Sequence, residues 1–196
     1  IPLAATLKTR LFQQTRLHLD ATRSSALFAD RLLLVEGVTE ASLLRVLGRV
    51  WADGDERRTG FVDALAILPL GHKVGEWPIR LLATEGHELV GRVAALSDTD
   101  KRGDPLPDAA PAPWHAELAP GTARFFWSRP TLEPSLVDGN EDLIGDALDA
   151  CEVTRPSLVT PSAIDSVFAA NSRLKGEFAL ALAALVAEDP GRVSLP

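Results

Sequence analysis

Two aliphatic runs in this chain end on paired acids. Leu32-Leu33-Leu34-Val35 leads into Glu36 and, four residues on, Glu40; Val93-Ala94-Ala95-Leu96 leads through Ser97 into Asp98-Thr99-Asp100. Unbroken aliphatic runs are characteristic of strands buried in a parallel sheet, and ligand sites in open α/β sheets lie just beyond the strands' carboxyl ends. Two such strands bring four carboxylates to one rim. A hard divalent cation takes several carboxylate oxygens together with water and phosphate, so the chemistry implied is metal-assisted work on phosphate. Thr131 and Glu133 follow a third apolar run, Phe125-Phe126-Trp127, with the same spacing as Asp98 and Asp100. Side chains two apart share a side while the chain stays extended, which places Asp98 and Asp100 together. Glu40 shares the face of Glu36 if the turn between them is tight. Asp104 is a further oxygen donor, read as structural because Pro105 follows it in a loop.

The elements that must position these acids are legible from periodicity. Apolar residues at Leu7, Leu11, Phe12, Leu19, Leu27 and Phe28 predict one or two amphipathic helices over Leu7 to Ala29. A first strand follows at Arg31 to Val35, then a turn through Gly37, with Thr39 the expected N-cap of a helix over Glu40 to Val50. Asp53 to Thr59 is charged and reads as loop. Phe61 to Leu70 reads as the second strand or a helix running into it, Gly71 to Gly75 as loop, Trp77 to Ala83 as a short helix and Arg92 to Leu96 as the third strand. The proline-rich stretch Asp104 to Pro120 is expected to be an extended surface excursion. Arg124 to Trp127 is strand-like, and helices are expected over Glu141 to Cys151, Ser162 to Ala170 and Gly176 to Ala187, with Pro156 and Pro161 marking breaks. No repeat of the solenoid type occurs. Strands alternating with helices predict an α/β fold, a small parallel sheet flanked by helices with an additional helical subdomain.

Composition narrows the chemistry further. The 196 residues suffice for a sizeable core, and neither a long apolar span nor a signal peptide is evident. A lone cysteine, Cys151, excludes an internal disulfide and a cysteine-rich zinc site, and is read as buried and inert; a cytoplasmic location fits. The histidines, His18, His72, His87 and His115, have no ligand spacing, which argues against zinc. The net charge of −7 argues against nucleic-acid binding through a broad basic face, although a carboxylate pocket loaded with dications carries a different charge. The start at Ile1 and the lack of methionine are read as marks of a piece of a longer protein.

Taken together, Leu-Leu-Leu-Val-Glu-Gly-Val-Thr-Glu at 32–40, Ser-Asp-Thr-Asp at 97–100 and Thr-Leu-Glu at 131–133 resemble the Toprim domain of topoisomerases, primases and several nucleases. Asn171-Ser172-Arg173-Leu174-Lys175-Gly176-Glu177-Phe178-Ala179 is similar to the lysine-bearing helix start of the overcoming lysogenization defect (OLD) nucleases, and the resemblance covers about Arg31 to Val186. It implies a Toprim metal-binding core over 30–140, a helical lead-in over 1–29, and a helical segment over 141–196 that carries a catalytic lysine and packs back on the core. It also implies that Glu36, Glu40, Asp98, Asp100 and Glu133 hold two Mg²⁺ or Mn²⁺ ions, with Ca²⁺ able to bind without supporting turnover. Lys175 would face the scissile phosphate, and Glu36, Asp98 and Lys175 would be the catalytic set of a metal-dependent DNA endonuclease. Ions roughly 3.5 to 4 Å apart activate an attacking water and stabilise a leaving oxygen, so no histidine base is needed. The implied partners are DNA and an ATPase domain of the same full-length protein, through which it would oligomerise; no membrane is implied. No Gly-x-x-x-x-Gly-Lys-Ser/Thr motif occurs in this sequence.

Each residue also has a plainer reading. Glu40 alone suits a helix N-terminus, and Asp98 with Asp100 suits a turn before Gly103. Lys175 at a helix start is poorly placed against the macrodipole, which favours a functional role. His72-Lys73 is read as a solvated loop, with contact to DNA phosphates the alternative. Rival functions are a non-catalytic metal-binding or docking module, another Toprim enzyme such as a primase, and a phospho-accepting receiver domain. Strand passage needs a nucleophilic tyrosine, and the sequence has none.

Overall fold

The computed structural model describes residues 29–101, 118 and 121–195. The helices expected over Leu7 to Ala29 fall outside the described residues except for Ala29 itself. Asp104, His18, His115 and all of the proline-rich excursion but Leu118 also lie outside them.

Four strands, β1 (Arg31–Val35), β2 (Ala66–Pro69), β3 (Arg92–Asp98) and β4 (Ala123–Ser128), form one sheet in the order β2-β1-β3-β4. Every pairing is parallel, with Leu33 opposite Ile67 on one side and Ala94 on the other. All the strands' carboxyl ends therefore share one edge. The chain leaves β1 to one side to form β2 and returns to the other side for β3, so the switch point of the topology lies between the ends of β1 and β3. Glu36 and Asp98 sit there.

Seven α-helices are present among the described residues: α1 (Val38–Ala52), α2 (Glu56–Ala64), α3 (Glu76–Ala83), α4 (Leu132–Ser135), α5 (Glu141–Ala150), α6 (Pro161–Ala170) and α7 (Leu174–Glu188). Leu32 and Leu34 of β1 and Val93 and Ala95 of β3 occupy one face of the sheet, where they pack with Ile79, Leu82 and Ala83 of α3. The period of two sends the alternate residues to the other face, and Leu96 packs there against a larger cluster. That cluster joins Leu43 of α1 and Leu132 of α4 to Ile144 and Leu148 of α5, Ile164 and Phe168 of α6, and Phe178 and Leu182 of α7. No helix among the described residues is long and apolar enough to cross a membrane.

Three local expectations are corrected. Gly37, not Thr39, caps α1, because the Glu40 carboxylate reaches back to accept from the Gly37 N–H at 2.9 Å. The charged stretch expected as loop is half helix: Asp55 accepts from the Arg58 N–H at 2.8 Å and so starts α2. Finally, β3 extends two residues beyond Leu96, so Asp98 is the last residue of the strand itself; the short helix α4 falls where no element was assigned from the sequence.

Candidate metal centre

Acids stand at or just after three strand ends along the sheet's carboxyl edge. Glu36 follows β1, Asp98 ends β3, and Glu133 lies on α4, which the chain enters just after β4. Glu40 is added by the first turn of α1. Asp98, Glu40 and Glu133 are all buried, Glu133 to 1% exposure, and Ser97, Thr99, Ser128 and Thr131 are buried beside them. A buried polar girdle at the end of aliphatic strands costs desolvation energy that an apolar one would not, unless each group finds a partner.

The partners are specific. The Glu36 Oε1 accepts from the Asp98 backbone N–H at 2.9 Å and from the Ser97 hydroxyl, which ties the end of β1 to the end of β3 across the switch point. Glu133 Oε2 accepts from the Thr131 hydroxyl at 2.8 Å and from the Lys175 ammonium at 2.9 Å. Lys175 is brought there by α7, whose Phe178 and Leu182 are anchored in the helical cluster. Burial first, and then the charge of Glu36, push the Asp98 carboxyl up to about 7; Lys175 opposes this, and Glu133 and Glu40 add to it. Glu36, Glu40, Glu133 and Lys175 thus all lie close enough to act electrostatically on Asp98.

Asp100 stands apart from them. The chain does not stay extended through it: Asp100 takes a left-handed backbone (φ 53°), its N–H donating to the Pro130 carbonyl at 3.0 Å. The expected alignment with Asp98 is lost, and the Asp100 carboxylate instead accepts from the Lys73 ammonium at 2.7 Å.

As they stand, no three Asp, Glu, His or Cys side chains among the described residues converge tightly enough to cage an ion. The reason is visible in the hydrogen bonds. Four of the carboxylates are each engaged by a local donor: Glu40 by Gly37, Glu36 by Ser97 and the Asp98 N–H, Glu133 by Lys175, Asp100 by Lys73. The donor set is nonetheless all carboxylate and hydroxyl oxygen, with excess negative charge that keeps Asp98 hard to ionise. That chemistry fits a hard dication such as Mg²⁺ or Mn²⁺. Sequence reasoning did not single out Ser97 or the pairing of Lys73 with Asp100. A serine closing an aliphatic run was a usable signal for the first; the second joins residues 27 apart and left none.

Comparison with protein-family models and with curated protein sequences gives no match. Comparison with solved structures does. The C-terminal region of the Burkholderia pseudomallei OLD protein is similar with a TM-score of 0.55 at 20% identity, over 80% of this chain and 87% of that one. The C-terminal region of the Xanthomonas campestris pv. campestris OLD protein is similar with a TM-score of 0.52 at 20% identity, over 80% and 85%. The chain therefore has the α/β fold of the C-terminal region of OLD proteins, a four-stranded parallel sheet with acids at its carboxyl edge.

Proposed function

We propose that this chain is the nuclease part of an OLD-type endonuclease, hydrolysing DNA phosphodiester bonds with two Mg²⁺ or Mn²⁺ ions. One observation carries the reading: a buried carboxylate, Asp98, shares its surroundings with three further acids from separate elements and with one ammonium, at the switch point of a parallel sheet. The fold of OLD C-terminal regions supports it. Glu36, Glu40, Asp98, Asp100 and Glu133 would hold the ions, which when bound would supply Lewis acidity to both the attacking and the leaving oxygen.

The chain's own residues do the rest. Ser97 and the Asp98 N–H both donate to one oxygen of the Glu36 carboxylate and so fix it at the rim. Lys175 balances Glu133 until substrate arrives, and its compact charge then stabilises the equatorial oxygens of the phosphate. Residues 30–140 would form the metal-binding core and 141–196 the segment that delivers Lys175. An ATPase domain in the same protein, and DNA as substrate, belong to this proposal.

The test is a supercoiled plasmid incubated with the protein and Mg²⁺, Mn²⁺, Ca²⁺ or EDTA. Cleavage is expected with the first two alone, and Asp98→Ala and Lys175→Ala should abolish it. Retained cleavage in either variant would falsify the assignment. A second reading, a non-catalytic metal-binding module, is favoured by the fact that four of the acids, Glu36, Glu40, Glu133 and Asp100, already have donor partners. Calorimetry with Mn²⁺ separates the two: two sites support the nuclease, one weak site the module.

A further inference from the structure

Helix α4, which carries Glu133, is a single turn of four residues. One turn fixes several backbone dihedrals for very few hydrogen bonds, so it does not hold its shape unaided. Glu133 is nevertheless seated at a defined place, its carboxylate between the Thr131 hydroxyl and the Lys175 ammonium. Leu132 and Pro134 are buried and hold the turn down, but apolar burial is non-directional. The direction must come from hydrogen bonds made outside the turn.

Two sets of them meet at the entry to α4. The first comes from the end of β3: the Pro130 carbonyl accepts from the Asp100 N–H at 3.0 Å and from the Thr99 hydroxyl at 3.4 Å. The second converges on one side chain, Ser135, the last residue of α4. Its hydroxyl accepts from the Arg129 N–H at 3.0 Å and donates to the Thr131 carbonyl at 2.9 Å, with the Arg129 carbonyl farther off at 3.4 Å. One hydroxyl thus closes the three-residue entry Arg129-Pro130-Thr131 onto the end of the helix. Thr131 is in turn the residue whose own hydroxyl donates to Glu133 at 2.8 Å. Ser135 itself is exposed. Alanine is the stronger helix former at such a position, so helix propensity does not account for a serine there.

We propose that Ser135 is a positioning residue for Glu133: by fixing Thr131 it sets where the buried Glu133 carboxylate lies relative to Asp98 and Lys175. The inference deepens the proposed function and rests on it for the ion that Glu133 would help to hold. Ser135 does not touch the acids and acts through Thr131 alone, so its hydroxyl matters to the site and its bulk does not.

The experiment compares wild type with Ser135→Ala, Ser135→Thr and Asp55→Ala. Asp55 starts α2, beyond the far end of α1 from Glu40, and its bond to the Arg58 N–H measures what loss of a local helix-end bond does by itself. Each protein is melted in EDTA, titrated with Mn²⁺ in a calorimeter without DNA, and assayed on supercoiled plasmid across a Mn²⁺ series. Ser135→Ala should bind Mn²⁺ about tenfold more weakly and need about tenfold more of it for half-maximal cleavage, the lower end of what losing a ligand's supporting hydrogen bonds costs. KM for plasmid should not change. Ser135→Thr keeps the hydroxyl and should restore both Mn²⁺ readings. Asp55→Ala should lower the melting temperature at least as much as Ser135→Ala while leaving both readings at their wild-type values. Unchanged Mn²⁺ affinity in Ser135→Ala overturns the proposal, as does a Ser135→Thr protein impaired to the same degree, or an equal loss of affinity in Asp55→Ala. Failure of the nuclease reading shows differently: wild type binds Mn²⁺ but leaves plasmid intact, and the calorimetric comparison still decides the role of Ser135. A wild type that binds no Mn²⁺ overturns both.

Discussion

Asp98 is the residue on which the metal-free protein should show its cost. Burial, reinforced by Glu36, raises its carboxyl to about 7, whereas in the unfolded chain it titrates near its ordinary value of 3.8. Between those values the folded protein holds a proton that the unfolded chain has released. Stability must then fall as pH rises through that window and level off above it. In EDTA, the melting temperature should drop from pH 5 to pH 8, and Asp98→Asn should flatten the drop and be the more stable protein at pH 8, by on the order of 2 kcal/mol. A thermal melt series decides it, and a variant no more stable than wild type at pH 8 rejects the buried charge as the cause. Lys175 poses the complementary case. Its removal leaves Glu133, nearly inaccessible to water, with the Thr131 hydroxyl as its described side-chain donor. Lys175→Met should lose about 3 kcal/mol, and adding Glu133→Gln should restore most of it without restoring cleavage, since a buried charge is costly chiefly when its partner is gone. Urea denaturation of the single and double variants separates this from a lysine that merely sits on the surface, for which the two would be equally stable.

At the scale of elements, α7 positions that lysine through packing. Phe178 lies three residues after Lys175, is 1% exposed, and sets its ring 4.9 Å from that of Phe168 on α6, tilted by 60°. Phe178→Ala should cost about 3 to 5 kcal/mol and slow cleavage, while Phe178→Leu keeps most of both. Wild-type cleavage by a destabilised Phe178→Ala would mean that α7 packing does not set the position of Lys175. The elements also show why the sequence was readable in some places and silent in others. β1 and β3 were legible because strands buried on both faces must be aliphatic throughout, and Leu32 to Val35 and Val93 to Leu96 are. Helix α2 was hidden: Glu56-Arg57-Arg58-Thr59 looks like solvated loop, and what makes it helical is the Asp55 cap together with Val62, buried against Gly48 of α1. Helix α4 is only four residues long and contains Pro134, too short for any period to register. The acids themselves were legible as types at strand ends. Their partners were not, because Lys175 reaches Glu133 across 42 residues and Lys73 reaches Asp100 across 27, distances set by topology.

The whole molecule carries a net charge of −7 and concentrates buried carboxylates at one edge of its sheet, so metal, proton and fold should be coupled. A dication that binds the native site and not the unfolded chain stabilises by mass action, by about 2.7 kcal/mol at a hundred times its dissociation constant. It must also displace whatever proton Asp98 holds, since a metal ligand has to be ionised. Below about pH 7 the native protein increasingly holds that proton, so metal and proton compete for the same oxygens. At a fixed, subsaturating Mn²⁺ concentration the rise in melting temperature should therefore be larger at pH 8 than at pH 6, and EDTA should reverse it at both. Asp98→Asn should lose most of the rise together with its pH dependence. Ca²⁺ should reproduce the stabilisation while leaving plasmid uncut, because the carboxylates can hold either ion whereas turnover needs the tighter octahedral geometry of Mg²⁺ or Mn²⁺. Scanning calorimetry at the two pH values, run beside the plasmid assay, measures both halves. An Mn²⁺ shift of equal size at pH 6 and pH 8 would place the ion away from Asp98, and no shift with either cation would remove the metal from the site altogether.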